Sequence, residues 1–409
     1  MKKITFITTG QPTTNPRMVK EVELLIGLGY QVRVVYSYYQ RWATAYDQEI
    51  VGRHPETYYC AGGDPGHAKI TYWYTRVRHK VCAMLYRWLH WDFFAPCAIN
   101  RTHAELLQMA KRHRSDLYIA HNLGALPAAI YAARHWSSKA GYDAEDMHSA
   151  EFDDKTYWLY LLNKYVEEAY FPKVAYFTAA SQLIAENYKT AYPYLDPVVV
   201  DNAFPLNHRS FRAGNQKDQP LKLFWFSQTT GSGRGIEEVI QAIALAKVPA
   251  ELHLLGNASD QVKSNLEKIA VGHGLSPGML VFYEPVSHDQ LVDIVGQFDI
   301  GMATETGIPY NREICLTNKL FMYIQCGLAV IASNTQGQQT FFAKYPGIGR
   351  LYQKNDPVML SDVLLYYSNN RDELQLTRRL NYELGQHVLN WENESLHFKS
   401  LIASMVGHP

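Results

Sequence analysis

Two cations stand where a helix would ordinarily avoid them. In LFWFSQTTGSGRGIEEVIQAIA, residues 223–244, an apolar run enters a glycine-rich turn and then a helical pattern, with Arg234 at the helix start. In ATETGIPYNREICLTNKLFMYIQCGLAVIAS, residues 303–333, Lys319 stands at the start of a helix that Gly327 closes. A cation at that end opposes the helix dipole, and a bound anion would resolve the conflict. The turn holding Gly231 and Gly233 brings backbone N–H groups together in a way that suits an anion, although an ordinary strand-to-helix loop has the same composition. Ahead of Lys319 lie Glu305, Glu313 and Asn318.

Three further polar groups follow apolar runs. In TTGQPTTNPR, residues 8–17, Gly10 permits close backbone approach, and a helix opening near Pro16 offers N–H groups. AHNLGALPAA, residues 120–129, sets His121 at a strand end with Asn122 beside it. A lone histidine there is either a structural hydrogen bonder or a proton carrier. YDAEDMHSAEFDD, residues 142–154, groups Asp143, Glu145, Asp146, His148, Glu151 and Asp153. Those carboxylates either cap helices in a solvated loop or face a ligand.

The elements that position these groups alternate. KITFITT, YQVRVVYSYY, SDLYIAH, AGYDAED, VAYFTAAS and DPVVVDN read as strands, most of them followed by helical patterns such as PRMVKEVELLIGLG. Short strands separated by helices imply βαβ units and a parallel sheet. Residues 40–75 interrupt the pattern and read as inserted loops, with an extra strand at KITYWYT. After a polar linker at 202–220 the pattern restarts with LKLFWFS, ELHLLGN, MLVFYEP, FDIGMATE and LAVIAS. The expectation is α/β: two facing Rossmann-like, doubly wound domains, at 1–203 and 204–385, with a helix from 386–409 packing back on the first. Ligands of such sheets bind at the carboxyl ends of the strands, here in a cleft between the domains.

Composition agrees with two full cores. The chain has 409 residues, 47% of them hydrophobic, and 39 basic side chains balance 39 acidic ones, which excludes bulk nucleic-acid binding. Cys60, Cys82, Cys97, Cys315 and Cys326 contain no CxxC pair, so neither a disulfide framework nor a structural zinc site is indicated. The start, MKKITFITTGQP, reads as a first strand and not as a signal peptide, and no apolar run reaches membrane-spanning length. A cytoplasmic protein, in contact with a membrane face at most, is expected.

Taken in order, TTGQPTTNPRMVKE, AHNLGALPAA, YDAEDMHSAE, WFSQTTGSGRGIEEVIQA and NKLFMYIQCGLAVIAS resemble segments of glycosyltransferases of the GT-B fold, close to family 4 and its relatives. The resemblance spans nearly the whole chain. It implies transfer of a sugar from a nucleotide-sugar donor to a glycan or lipid-linked acceptor, with retention, in polysaccharide or glycoconjugate synthesis. The donor phosphates would lie near two cations six positions apart, which fall here on Gln228 and Arg234; Gln228 replaces the usual arginine. The family has two glutamates separated by seven residues. Glu305 and Glu313 have that spacing, but counting back from Cys326-Gly327 sets the second at Met322, where a ribose contact would be lost. Catalytic roles then fall on His121, Glu305, Arg234 and Lys319. Donor contacts fall on Gly10, Gln228, Gly231, Gly233, Glu313, Asn318 and Met322, and acceptor contacts on Asn15, Arg17, Asn122, Asp143 and Glu145. The sequence contains no Asp-x-Asp to hold Mg²⁺, so cations and helix N-termini would stabilise the leaving diphosphate without an obligatory metal or other cofactor. A nucleotide-sugar epimerase of the same fold, or a catalytically silent sugar-binding or assembly subunit, are the alternative readings.

One stretch falls outside this scheme. RVRHKVCAMLYRWLHWDFF, residues 76–94, read as a helix, sets Val77, Val81, Met84, Leu85, Trp88 and Trp91 on one stripe with Arg76, Lys80 and Arg87 on one flank. Such a stripe either docks at a membrane surface or packs on the first sheet. The exposure of Trp88 and Trp91 separates the two.

Overall fold

The computed structural model describes residues 1–207, 209–212, 219–286 and 288–409. The chain divides into two compact units, Met1–Asp201 with Ser395–Pro409, and Asn202–Glu394. Residues 386–394 thus fall in the second unit, although the sequence reading sets them with the tail of the first. Of the expected linker at 202–220, residues 208 and 213–218 lie outside the described residues.

The first unit is built on a parallel sheet of seven strands among the described residues: β1 (Lys3–Thr8), β2 (Gln31–Ser37), β3 (Tyr58–Ala61), β4 (Leu117–His121), β5 (Lys139–Ala144), β6 (Tyr176–Ala179) and β7 (Pro197–Val199). Their order is β3-β2-β1-β4-β5-β6-β7. The chain runs outward from β1 to one edge, then returns beside β1 and builds toward the other, so the order reverses between β1 and β4. Ile4, Phe6, Ile7, Leu117 and Ile119 are buried because helices cover both faces of a parallel sheet. Tyr30 donates from its hydroxyl to the Gly407 carbonyl at 2.9 Å, and Lys139 donates to the Met405 carbonyl at 2.8 Å, which hold the chain's end on this unit.

Residues 40–75 depart from the expected loops. They hold the helix Ala43–Arg53, strand β3 and the first turns of a helix, Lys69–Leu89. Ile70, Tyr72 and Tyr74 alternate as a strand would, and aromatic and β-branched residues favour that reading. The same segment also continues a three-and-four spacing into Val77 and Val81, and the helical period wins.

The second unit repeats the plan. β8 (Leu221–Thr229), β9 (Ala250–Asn257), β10 (Leu280–Tyr283), β11 (Ile300–Ala303), β12 (Ala329–Ser333) and β13 (Gly349–Tyr352) form a parallel sheet in the order β10-β9-β8-β11-β12-β13. Leu223, Trp225, Ile240, Leu254, Met302 and Ile331 belong to the core on one face, and Phe224, Phe321, Met322, Tyr323 and Val330 to the core on the other. The reversal of order falls between β8 and β11. In open α/β sheets a ligand crevice lies outside the carboxyl ends of the strands at such a point.

Candidate functional site

Parallel register sets a row of polar side chains across the carboxyl end of the first sheet. Thr8 lies beside His121, His121 beside Asp143, and Asp143 beside Thr178. The helix Pro16–Gly27 starts above this row, with Asn15 as its cap: the Asn15 Oδ1 accepts from the Met18 N–H at 3.0 Å. Within the first turn and one turn further on, Arg17 and Glu21 point at the row. Arg17 Nε and Nη2 donate to the two oxygens of Asp143, each at 2.8 Å, and Nη1 donates to the Val200 carbonyl at 2.6 Å. Thr178 donates its hydroxyl to Asp143 Oδ1 at 2.6 Å. His121 Nε2 lies 3.0 Å from Glu21 Oε2, and its Nδ1 lies 3.5 Å from Asp143 and 3.4 Å from Glu145.

Arg17, Glu21, His121 and Asp143 are each at most 1% exposed. Burial alone would push the His121 imidazole down, but Glu21 and then Asp143 overcome it and raise it to about 10. Burial likewise would raise Asp143; Arg17 first and His121 second hold it below the usual carboxylate range. The cluster therefore sets Arg17 and His121 against Asp143 and Glu21, and burial, only partly opposed by His121, raises the Glu21 carboxyl above its usual range. Charges so enclosed are stable only when paired.

This departs from the acceptor-side reading of Asn15, Arg17 and Asp143 and from the catalytic reading of His121. Arg17, His121 and Asp143 bond one another instead of facing a ligand, and Asn15 caps a helix. Glu21, Asp143 and His121 each offer one atom at a spacing a metal ion could use, the three lying within 4.8 Å of one another. The Arg17 fork already holds both Asp143 oxygens, so an ion would have to displace it. Glu21 carried a legible signal: four residues after Arg17, it must share that helix face.

Other expected residues remain at the edge. Asn122, at φ +72°, accepts on Oδ1 from the Thr8 hydroxyl at 2.9 Å and the Thr9 hydroxyl at 3.1 Å, tying β4 to β1 across the reversal of strand order. Gly10 follows β1, and its N–H donates to the Thr8 hydroxyl at 3.3 Å. Glu145 keeps part of its side chain exposed. Next to them stands His148, whose Nδ1 lies 2.7 Å from Glu151 while its Nε2 accepts the Leu123 N–H at 3.3 Å.

The second sheet treats its charges differently. β8 ends in Ser227, Gln228 and Thr229, and the turn through Gly231 and Gly233 leads to the helix Ile236–Ala246. Gly235 caps that helix at φ +76°, and a Cβ there would lie 2.6 Å from the Thr304 side chain, so the turn presses against the end of β11. At Gly231 and Gly233 a Cβ would meet nothing within 4 Å, so the space over the turn is open. Arg234 donates to the Ser227 hydroxyl at 3.2 Å and reaches the Thr229 hydroxyl at 3.5 Å, and its carbonyl accepts from the Thr304 hydroxyl at 2.8 Å. Among the described residues no carboxylate pairs with Arg234.

Glu305 follows Thr304. The Ser333 hydroxyl at the end of β12 accepts the Glu305 N–H and donates to the Glu305 carbonyl, both at 2.8 Å, which fixes the loop. Lys319, at the start of the helix Asn318–Gln325, donates to Glu305 Oε1 at 3.0 Å and to the Thr317 hydroxyl at 3.3 Å, and lies 5.3 Å from the centre of the Trp225 ring. The helix-dipole conflict read at Lys319 is thus answered within the protein by Glu305. Arg234, Glu305 and Lys319 come together through Thr304.

The remaining expectations for this unit divide. Gln228 is exposed beside the turn. Asn318 accepts from the Asn202 amide at 2.8 Å. Glu313 pairs with Lys354 and accepts the Gln336 N–H at 3.2 Å, which makes it a cap for the helix Gln336–Lys344. Met322 as a donor contact is corrected: it is fully buried in the core beneath the helix, with Cys326 Sγ at 3.7 Å from its sulfur.

No family model and no curated protein matches this chain. Solved structures do. Anabaena HepE in complex with UDP-glucose matches with a TM-score of 0.71 at 14% identity, over 99% of this chain and 100% of that one. Sucrose-phosphate synthase from Thermosynechococcus elongatus matches with 0.70 at 12%, over 99% of each chain. WaaG, a glycosyltransferase involved in lipopolysaccharide biosynthesis, matches with 0.63 at 13%, over 99% of this chain and 100% of that one. These likenesses show the fold: two Rossmann-like domains, as in the GT-B structures whose motifs the sequence resembles.

Proposed function

We propose that the chain is a retaining, metal-independent glycosyltransferase that moves a sugar from a nucleotide-sugar donor to a glycan or lipid-linked acceptor. The observation that carries this reading is Arg234: a cation bonded to hydroxyls alone, under open space, where strand order reverses and a helix begins. Similar structures were solved with UDP and UDP-glucose, which makes uridine diphosphate sugars the first donors to try.

The diphosphate would lie over the turn, bonded by Arg234 and by N–H groups at the start of the helix Ile236–Ala246, with Lys319 at its sugar side. As the bond from the anomeric carbon to phosphate breaks, its electron pair stays on the diphosphate, where fixed cations and dipoles stabilise it. The acceptor oxygen bonds the anomeric carbon from the same face and passes its proton to the departing phosphate. No side-chain nucleophile takes part. Glu305 orients Lys319 and can accept from a sugar hydroxyl.

The test is calorimetric titration with UDP-glucose and with GDP-, ADP- and CMP-sugars, followed by donor hydrolysis with and without EDTA. Binding of one donor with slow release of free sugar that survives EDTA supports the reading. Turnover abolished by EDTA and restored by Mg²⁺ refutes its metal independence. Tight binding with no hydrolysis or transfer favours the silent subunit, a reading to which the neutral Gln228 at the turn also leans.

A further inference from the structure

The helix Lys69–Leu89 turns its apolar side away from the protein. Its inward side carries Tyr72, Thr75, His79, Cys82 and Tyr86, which are buried or half-buried. Arg101 donates to the Thr75 hydroxyl at 2.6 Å, His79 Nδ1 lies 2.9 Å from the Cys97 carbonyl, and the Tyr86 and Tyr165 rings meet at 6.3 Å. The side facing solvent carries Ile70, Trp73, Val77, Met84 and Trp88, with Ile70 88% and Trp88 73% exposed. The turn that follows adds Trp91 at 58% and Phe93 at 84%. An amphipathic helix on a folded domain ordinarily has the opposite orientation, and an apolar surface of this extent marks a docking face.

Charge selects the occupant. Lys69, Arg76, Lys80 and Arg87, spaced by 7, 4 and 7 residues, stand above one another along one flank of the apolar stripe. All four are exposed, and none pairs with a carboxylate among the described residues. Arg78, off this line, pairs with Glu105 at 2.9 Å. The helix holds no acidic residue. Protein interfaces are depleted of lysine, whereas tryptophan bordered by a row of cations suits the boundary between acyl chains and anionic headgroups. No helix among the described residues is long and apolar enough to cross a membrane, so this one would lie flat.

We propose that the helix Lys69–Leu89 and the turn at 91–94 dock the protein on an anionic lipid bilayer. The helix belongs to the first unit and Arg234 and Lys319 to the second, and the inference does not depend on the donor reading.

The experiment is flotation of the full chain with vesicles of phosphatidylcholine alone and with about one-third phosphatidylglycerol added, at low and high salt. The wild type should float with the anionic vesicles at low salt, float weakly with neutral ones, and shift its tryptophan emission to the blue. The variant Trp88→Ser/Trp91→Ser/Phe93→Ser should partition at least roughly tenfold less, and Arg76→Gln/Lys80→Gln/Arg87→Gln should lose the preference for anionic lipid. These side chains are exposed, and an unchanged melting temperature confirms the variants fold. Absence of flotation at low salt overturns the proposal, as does equal partitioning of wild type and both variants. A concentration-dependent dimer that the tryptophan variant abolishes, without lipid binding, would assign the face to a second copy of this chain.

Discussion

The two sheets place charged residues at equivalent points, where strand order reverses, and use them in opposite ways. In the first, Arg17, Glu21, His121 and Asp143 close on one another and exclude water. In the second, Glu305 pairs with Lys319, but Arg234 keeps hydroxyl partners only and lies beside open space. An anion is held by donors and positive charge that the fold has not already satisfied. By that criterion the first cluster fixes architecture and the second is available for a ligand.

The sharpest break of this contrast is Arg17→Ala. It leaves Asp143 and Glu21 buried with one cation between them. Losing one partner of a buried ion network costs about 3–5 kcal/mol, read as a fall in the denaturant midpoint. Arg234→Ala, by contrast, should leave that midpoint within about 0.5 kcal/mol of wild type. Equal effects of the two substitutions would sink the comparison.

The second test uses pH. His121, raised to about 10, holds a proton that the unfolded chain releases near 6.5, so its contribution is complete below 6.5 and is lost as pH rises through 10. Lys20 opposes it. Although it is half-buried by surface area, burial is the largest influence on it, ahead of the Arg17 charge, and it is pushed down from 10.5 to about 7. The native state thus lacks a proton that the unfolded chain keeps, which makes stability rise with pH from 7 to 10.5. In the wild type these two nearly cancel, while His148, raised against burial by Glu151 to about 9, makes stability fall from pH 6.5 to 9 on its own account. Lys20→Met should uncover His121 and steepen the fall by up to about 1.4 kcal/mol per pH unit between pH 7 and 9. A slope unchanged from the wild type in that variant would mean that the buried cluster holds no extra proton.

On the ligand side, Arg234→Ala should weaken nucleotide-sugar binding by roughly 1.5–3 kcal/mol, the range for a charge-assisted contact. Titration calorimetry measures it, and unchanged affinity would remove Arg234 from the site. Lys319→Ala is a less clean probe, because it also leaves Glu305 without its cation.

The sheets were legible because parallel strands buried on both faces read as apolar runs between helices, and β1, β8 and β12 stand out that way. The edge strands β3 and β13 are short, and the sequence reading passes over both. What sequence could not separate was the fate of the charges. His121 and Asp143 at strand ends look the same whether they meet a ligand or each other, and only the register that sets Thr8, His121, Asp143 and Thr178 in a row decides it. Counting along a motif points to Met322, yet a thioether has no group for a ribose hydroxyl, and its helix position faces the core. The stripe at 76–94 was legible as a stripe, but which side it presents depends on Thr75 and His79 finding partners inward.

The smallest effect sharpens the comparison at one position. Gln228 is exposed at the end of β8, six residues before Arg234, where the resemblance to GT-B enzymes implies an arginine. Its amide can offer a phosphate only neutral hydrogen bonds, worth about 0.5–1.5 kcal/mol, against about 1.5–3 for a charged donor. Gln228→Arg should therefore tighten donor binding by about 1 kcal/mol, roughly fivefold. Stability should not move, since the position is on the surface and an added guanidinium displaces no buried partner. A second cation six residues from Arg234 also adds repulsion in the empty site, which a diphosphate relieves, so the gain should shrink with added salt. Tighter binding of the nucleoside diphosphate, with little change for the free sugar, would locate the phosphates at this turn. If Gln228→Arg leaves diphosphate affinity unchanged while Arg234→Ala weakens it, the phosphates lie on the far side of Arg234, toward Thr304 and Lys319.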